Sequence, residues 1–264
     1  MREKVDALLK CLRGHSPLVI AYSGGVDSAY LLAAAHAELG EKMLGVIADS
    51  PSLPRRALAD ALALARGLGA AVEIIQTEEM RDQQYVSNPL NRCYFCKAEL
   101  FVKLDALAQS RGFAAIAYGE NADDARQFRP GRLAAAEFAV IAPLRDAGLT
   151  KAEIRTLSRD LGLPTADAPA QPCLSSRIPH GTAVTREALA MIERGEEWVR
   201  SLGFSVFRVR HIQNAGEKAL LARVQIAPEE MPRLRGNDAP LVGGLRAIGY
   251  DAVEIDLAGY RSPA

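Results

Sequence analysis

The chain has 264 residues, a hydrophobic share of 49% and a formal net charge of zero, which suits one large domain or two unequal ones. No apolar run reaches the roughly 18 residues that span a bilayer, and the charged N-terminus lacks the apolar core of a signal peptide, so we expect a cytoplasmic protein without membrane contact. A net charge of zero also argues against broad electrostatic capture of nucleic acid.

The first predicted elements are a helix over residues 2–13 and an apolar strand over 18–21, which ends in a glycine turn before a second helix. Unpaired N–H groups of such a turn converge on one point, and the helix dipole adds positive charge there, so the joint favours phosphate oxygens. Glycines let the backbone approach an anion, serines add hydroxyl donors, and an aspartate can cap the helix. The residues of this predicted phosphate loop are Ser23, Gly24, Gly25, Asp27 and Ser28.

Strands and helices then alternate, which predicts a parallel sheet with helices on both faces. Ligands bind such sheets at the carboxyl ends of the strands, where Asp49 falls and can bond an adenosine. Arg55 and Arg56 follow it and can pair with phosphate or carboxylate. The predicted strands cover residues 43–48, 71–75, 114–118 and 139–142, and the predicted helices cover 28–39, 54–67, 97–110, 133–138 and 151–161.

A stretch with three prolines, residues 163–173, predicts a domain boundary, which divides the chain into domains 1–168 and 169–264. The pattern beyond this boundary indicates a smaller α+β domain, because its strands are mixed with only a few helices. The predicted strands there cover 205–211, 219–226 and 251–257, and the helical stretches cover 185–202 and 228–247.

The four cysteines point to metal binding, a cluster or thiol chemistry, because disulfides do not persist in a reducing cytosol. Cys93 and Cys96 form a CxxC at a helix start, and Cys173 lies in a proline-bounded loop where a thiolate can act as nucleophile or sulfur source. Zinc wants four ligands, a set that His180 could complete, whereas a 4Fe–4S cluster held by three cysteines leaves one iron open. Cys11 fits plain packing in an amphipathic helix.

Four further polar residues carry two interpretations each, and a fifth carries one. Asp123 and Asp124 can hold the magnesium that accompanies ATP, or they can cap a helix. Arg208 and Arg210 share one face of a strand and can grip a phosphate, or they can be solvated. Glu196, next to a second glutamate, reads as a solvated helix carboxylate.

Seven motifs in order resemble those of the LarE family, which belongs to the PP-loop ATP pyrophosphatase superfamily. The resemblance runs over nearly the whole chain, and PCLSSR and SPSLPRR distinguish this family, whereas SGGVDS alone indicates only the superfamily. The motifs are SGGVDS, ADSPSLPRR, NRCYFCK, GENADD followed by RPG, PCLSSR, FRVRH and DLAGYR.

The resemblance implies an α/β fold, with an N-terminal parallel-sheet PP-loop domain of the adenine nucleotide alpha hydrolase type and a smaller C-terminal α+β domain. It implies an ATP-dependent sulfur transferase that adenylates the carboxylates of pyridinium-3,5-biscarboxylic acid mononucleotide, releases pyrophosphate and AMP, and leaves thiocarboxylates for the nickel-pincer cofactor of lactate racemase. ATP and Mg²⁺ are then required, and the ATP phosphates would bind to the phosphate loop. The resemblance also implies a homo-oligomer. Arg177, Arg208 and Arg210 would hold the substrate phosphate, with Glu196 nearby.

The family obtains its sulfur by two routes, and the resemblance leaves both open. Either Cys173 gives up its own sulfur, or Cys93, Cys96 and Cys173 hold a 4Fe–4S cluster that binds an extra sulfide. The three cysteines of this chain favour the cluster route. Two other functions are weighed against sulfur transfer to a small molecule: tRNA thiolation by a PP-loop enzyme, and a non-catalytic nucleotide or metal sensor.

Overall fold

The computed structural model describes residues 1–126, 130–169, 172–213, 219–234 and 238–260. Two motif arginines, Arg129 and Arg261, lie outside the described residues. The helices of the described part, in chain order, are α1 (Arg2–Gly14), α2 (Val26–Leu39), α3 (Arg55–Leu68), α4 (Gln83–Val86), α5 (Arg92–Arg111), α6 (Gly131–Glu137), α7 (Pro143–Asp146), α8 (Lys151–Asp160), α9 (Arg186–Ser201) and α10 (Asp238–Ile248). The strands are β1 (Leu18–Ala21), β2 (Met43–Asp49), β3 (Val72–Gln76), β4 (Ala115–Tyr118), β5 (Phe207–Gln213), β6 (Leu220–Ile226) and β7 (Ala252–Asp256).

The chain forms two compact units, and the second contains a segment that the sequence assigned to the first domain. The first unit comprises Met1–Asp82 and Asn91–Ala168, and the second takes Gln83–Leu90 together with the chain from Pro169 onward. Hydrogen bonds to the chain beyond Pro169 explain why Gln83–Leu90 belongs to the second unit. The Asn88 side-chain amide donates to the carbonyl oxygens of Pro179 and Thr182, and the Tyr85 hydroxyl lies 2.7 Å from the hydroxyl of Ser175.

The first unit is built on a four-stranded parallel sheet with the order β3-β2-β1-β4, so the α/β prediction is confirmed. Strand β1 shows why both faces are covered. Leu18 and Ile20 pack into one apolar cluster with α1, α2, α3 and α8, whereas Val19 packs into a second cluster with α5 and α6. A central strand buried on both faces is continuously apolar, which is the pattern that β1 has in the sequence.

In the first unit, two predicted elements differ from the observed ones. The predicted strand 139–142 makes only one bridge to the sheet, between Ile141 and Ala117. Ala139 has a φ of 50°, which bends the chain after α6, and Pro143 has no N–H to extend a ladder. The helix predicted over 97–110 is α5, which begins at Arg92 and therefore contains the CxxC motif.

The second unit is a three-stranded sheet with the order β5-β6-β7, covered by α9 and α10, as the α+β prediction requires. Strand β5 pairs antiparallel with β6, and β6 pairs parallel with β7. Val209 and His211 on β5 are buried, and burial lowers the pKa of His211, whose ring contacts Tyr250. The helical stretch predicted over 228–247 is a 3-10 turn at Met231–Leu234 followed by α10. Among the described helices, none combines the length and hydropathy needed to cross a bilayer.

Candidate functional site

The predicted phosphate loop lies where the strand order of the first sheet reverses. From β1 the chain adds β2 and β3 on one side and β4 on the other, and ligands of open α/β sheets bind at such a point. Gly24 has a φ of 77°, and a Cβ there would lie 2.7 Å from the Cβ of Ala61, so only glycine fits. Gly25 precedes α2 with an ordinary φ of −73°.

The hydroxyl of Ser28 fixes the shape of this loop. It accepts a hydrogen bond from the backbone N–H of Ser23 at 3.2 Å, lies 3.0 Å from the Ser23 hydroxyl and bonds the carbonyl oxygen of Gly25 at 3.1 Å. Gly119, just after β4, approaches the same helix start, since a Cβ there would lie 2.7 Å from the backbone nitrogen of Ser28. The helix N-terminus is thus enclosed by the ends of two neighbouring strands.

We expect Gly24→Ala to lower the free energy of unfolding of the first unit by about 2 kcal/mol or more, because it adds left-handed strain and the contact with Ala61. Gly25→Ala is the matched control, since its added Cβ meets only the Ser23 hydroxyl at 3.7 Å. Urea unfolding of both variants checks the prediction, and equal losses would contradict it.

A cavity of about 190 Å³ opens beside the loop at the carboxyl ends of β1, β2 and β4. Its walls are mostly apolar, and its polar groups include the two loop serines. This arrangement suits a ligand with a flat apolar part and an anionic part. The lining residues are Ala21, Tyr22, Ser23, Ser28, Val46, Ile47, Ala48, Leu53, Lys97, Leu100, Phe101, Tyr118 and Gly119.

Lys97 is a cavity residue that the sequence reasoning did not single out. Its Nζ atom lies 4.6 Å from the ring centroid of Tyr118. Gly131 makes room for it, because a Cβ at that position would lie 2.5 Å from Cδ of Lys97. The sequence did contain an indication, since Lys97 directly follows Cys96 in the NRCYFCK motif.

The cysteines of the CxxC motif lie in the first turns of α5, where the Asn91 side chain makes no capping hydrogen bond. Cys93 is exposed and Cys96 half-buried, and the i, i+3 spacing puts both on one side of the helix. They belong to the first unit, whereas Cys173, also half-buried, belongs to the second. The three-cysteine cluster therefore stays a prediction.

Asp49 is held by its neighbours at the end of β2. Its carboxylate accepts a hydrogen bond from Gln76 at 3.0 Å and forms an ion pair with Arg55 at 2.6 Å, and the Arg55 guanidinium holds the pKa of Asp49 below its usual range. Arg55 also bonds two backbone carbonyls of the same loop, and Arg56 pairs with Asp60 on the surface. In the structure both arginines bind protein groups.

The aspartates of GENADD make capping contacts. Asn121 Oδ1 accepts from the backbone N–H groups of Asp123 and Asp124, Asp123 Oδ2 accepts from the N–H of Lys151, and Asp124 Oδ2 accepts from the N–H of Asn121. Over the described ranges, no three His, Cys, Asp or Glu side chains form a group that could hold a metal ion. Magnesium at Asp123 and Asp124 stays a prediction.

In the second unit, Arg177 and Glu196 form a buried two-pronged ion pair. Nε and one terminal nitrogen of Arg177 donate to the two carboxylate oxygens at 2.8 and 2.9 Å, and Glu196 also accepts from the N–H of Val209. The interpretation of Glu196 as a solvated carboxylate was wrong. It lies four residues after Ile192 and three before Val199, both buried, so its helical spacing already placed it on the inner face.

The other terminal nitrogen of Arg177 holds the loop that carries Cys173. It donates to the carbonyl oxygens of Pro172 and Cys173 and to the Ser176 hydroxyl, at 2.6, 3.1 and 3.0 Å. Arg210 donates to the carbonyl oxygen of Ser176 at 2.8 Å. Two of the three predicted phosphate-binding arginines thus fix the cysteine loop.

Arg208 stacks on Tyr260, a residue of the DLAGYR motif. Its guanidinium carbon lies 4.5 Å from the ring centroid, and it donates to the hydroxyl at 2.8 Å. Burial, and then the nearby charge of Arg177, lower the pKa of Arg208. The second unit therefore brings the charges of Arg177, Arg208 and Arg210 close to the carboxylate of Glu196, and Asp256 lies near Arg210. The three guanidinium groups outnumber these two carboxylates, an arrangement that favours an anion.

Several known proteins are similar to this chain over most of its length. No family model matches it. It is 43% identical over 246 residues to an uncharacterized protein of Synechocystis sp., covering 92% of this chain and 90% of that protein. It is 30% identical over 265 residues to the pyridinium-3,5-bisthiocarboxylic acid mononucleotide synthase of Lactiplantibacillus plantarum, covering 98% and 92%. An uncharacterized protein of Methanocaldococcus jannaschii is 26% identical over 245 residues, covering 93% and 91%.

Proposed function

The chain belongs to the LarE family, that of the pyridinium-3,5-bisthiocarboxylic acid mononucleotide synthase, and we propose that it makes the same class of product. The substrate is pyridinium-3,5-biscarboxylic acid mononucleotide, and its carboxylates become thiocarboxylates for nickel-pincer cofactor synthesis. ATP activates each carboxylate, since a carboxylate oxygen is a poor leaving group and AMP is a good one.

The observation that carries the proposal is the position of Lys97. This lysine directly follows Cys96 on α5 and lines the same cavity as Ser23 and Ser28 of the phosphate loop. In the first unit, the same cavity is therefore lined by the residue that follows the CxxC motif and by two serines of the phosphate loop. A simple nucleotide sensor needs the loop but has no use for the cysteines.

Adenylation follows from the chemistry of the loop. A substrate carboxylate oxygen bonds to the α phosphorus of ATP, the bond from this phosphorus to the bridging oxygen breaks, and its electron pair leaves on pyrophosphate. Backbone N–H groups and the hydroxyls of Ser23 and Ser28 orient the phosphates, and Lys97 offsets the charge that develops on the α phosphate. Mg²⁺ would accompany ATP, with Asp123 and Asp124 as its candidate ligands.

The second unit supplies the groups expected for the substrate. A mononucleotide with two carboxylates is strongly anionic, and Arg208 and Arg210 offer guanidinium groups beside the loop that carries Cys173. Arg177 differs from these two, because its bonds to Glu196 and the loop carbonyls suit it to hold the cysteine in place. A sulfur nucleophile then attacks the acyl carbon, and AMP leaves.

Three cysteines that form no disulfide fit the donor set of a 4Fe–4S cluster, and we propose that Cys93, Cys96 and Cys173 hold it. The open iron of such a cluster would carry the extra sulfide. Anaerobic reconstitution should give about four iron and four sulfide per chain. A colourless protein that stays active with only Cys173 intact would favour the sacrificial route.

The decisive experiment incubates the reconstituted full chain with ATP, Mg²⁺ and the pyridinium substrate, and follows pyrophosphate and product mass. We expect one pyrophosphate for each carboxylate converted, and none without substrate. Pyrophosphate release with bulk tRNA in place of the substrate would favour tRNA thiolation. No release with either would contradict an enzymatic role and favour the sensor.

A further inference from the structure

The segment Gln83–Leu90, which precedes the CxxC motif in the chain, contacts the loop that carries Cys173. The hydroxyl of Tyr85 lies 2.7 Å from the hydroxyl of Ser175, two residues after Cys173. Both residues are buried, since Tyr85 is 1% exposed and Ser175 is 0% exposed. Tyr85 lies outside the seven family motifs, so those motifs assign it no role.

Asn88 fixes the segment from which Tyr85 projects. It is fully buried and has a φ of 55°, a left-handed conformation that asparagine adopts more readily than most residues. Its side-chain amide donates to the carbonyl oxygens of Pro179 and Thr182 at 2.8 and 2.9 Å, and its own carbonyl oxygen accepts from the N–H of Gly181 at 3.0 Å. The second unit therefore holds the backbone beside Tyr85 in one place.

The contact with Ser175 fixes the turn that follows Cys173. Ser175 is the second residue of the 3-10 turn Leu174–Arg177, and the N–H of Ser176 bonds the carbonyl oxygen of Cys173 at 3.0 Å. Holding the Ser175 side chain therefore holds the turn from whose start the Cys173 side chain projects.

This contact differs in charge from the other bonds to the same loop. Arg210 binds the carbonyl oxygen of Ser176, but it is also a candidate ligand of the substrate phosphate. An anionic substrate competes for such a guanidinium group, whereas two neutral hydroxyl groups keep their bond when the substrate binds. Tyr85 is thus suited to hold the Cys173 loop during the reaction.

We propose that Tyr85 is a positioning residue that holds the sulfur carried at Cys173 in place for attack on the adenylated carboxylate. The inference rests on the proposed function. In the productive step the sulfur bonds to the acyl carbon, the bond from this carbon to the AMP oxygen breaks, and its electron pair leaves with AMP. If the sulfur is displaced, a water oxygen attacks the same carbon, gives up its protons to solvent, and regenerates the carboxylate as AMP leaves. A loosened Cys173 loop therefore consumes ATP without making product.

The ratio of thiocarboxylate formed to pyrophosphate released tests this role in the reconstituted full chain, with ATP, Mg²⁺ and the pyridinium substrate. Tyr85→Phe keeps the buried ring and removes the hydroxyl. We expect the ratio to fall about three- to tenfold and the rate of pyrophosphate release to change less than about twofold, because a small misplacement of a reacting atom slows only the step in which that atom reacts. A damaged fold would lower both quantities together.

Tyr250→Phe is the matched control, because it removes another buried hydroxyl from the second unit, one that lies 3.3 Å from Nδ1 of His211. A double-variant cycle with Ser175→Ala identifies the contact, since Tyr85→Phe/Ser175→Ala should lower the ratio no further than the larger single loss. An unchanged ratio in Tyr85→Phe, an equal fall in Tyr250→Phe, or additive losses in the cycle would overturn the inference.

Alkylation by iodoacetamide gives a second readout that needs no turnover. In the full chain before reconstitution, peptide mass spectrometry follows the reaction of each cysteine. We expect the half-buried thiol of Cys173 to react about threefold faster or more in Tyr85→Phe, because the loop opens more often, and the half-buried thiol of Cys11 to react as in the wild type. If the wild type makes no thiocarboxylate, the proposed function fails, but a faster reaction at Cys173 alone still supports Tyr85 as the residue that holds the loop. An unchanged rate at Cys173 would overturn that role.

Discussion

Replacing Glu196 by alanine should destabilise the second unit by about 3–5 kcal/mol, because the change leaves a buried guanidinium without its partner. The side chains of Arg177 and Glu196 are only 3% and 9% exposed, so water cannot replace the lost carboxylate without opening the unit. The variant also removes the acceptor for the N–H of Val209 at the edge of the sheet.

The chain offers both the probe and the control for this measurement. Its single tryptophan, Trp198, lies two residues further along α9 and packs against the core of the second unit, so its fluorescence reports unfolding there. Glu197→Ala removes a neighbouring exposed carboxylate from the same helix. If urea titration gave Glu196→Ala no larger loss than Glu197→Ala, the ion pair would contribute little.

Local patterns were enough to predict most of the first unit. The apolar run before Ser23, the two glycines and the following helix predict a strand, a turn and an anion site. The capping box of Thr150 and Glu153, which the structure contains, needs only a spacing of three residues in the sequence. These features depend only on residues close together in the sequence, so they can be predicted without knowledge of the tertiary structure.

The contacts that sequence reasoning missed join residues far apart in the chain, whereas the wrongly predicted strand 139–142 has a local cause in Ala139 and Pro143. The pair of Arg177 and Glu196 joins a loop to a helix, and the segment Gln83–Leu90 is tied to the second unit by bonds that cross about 90 positions. Lys97 becomes a site candidate only when α5 is packed beside the sheet, where it lines the cavity at the phosphate loop. A lysine on a helix otherwise reads as a solvated charge.

Replacing Cys173 by serine should lower sulfur transfer roughly 10³-fold or more and leave pyrophosphate release nearly unchanged, because in the proposed mechanism the thiol takes part only after the carboxylate has been adenylated. The contrast separates a chemical role from a structural one, since a damaged fold would lower both activities. Mass spectrometry of the product and a pyrophosphate assay measure the two steps. Cys11→Ser is the matched control, as it removes another half-buried free thiol, in α1.

The double variant Cys93→Ser/Cys96→Ser then decides how the sulfur arrives. With a cluster route it should lose iron and sulfur transfer together, because two of three ligands are gone. With a sacrificial route it should complete one turnover, and the chain should lose about 34 Da at Cys173, the mass of hydrogen sulfide. Unimpaired transfer in Cys173→Ser would contradict both routes.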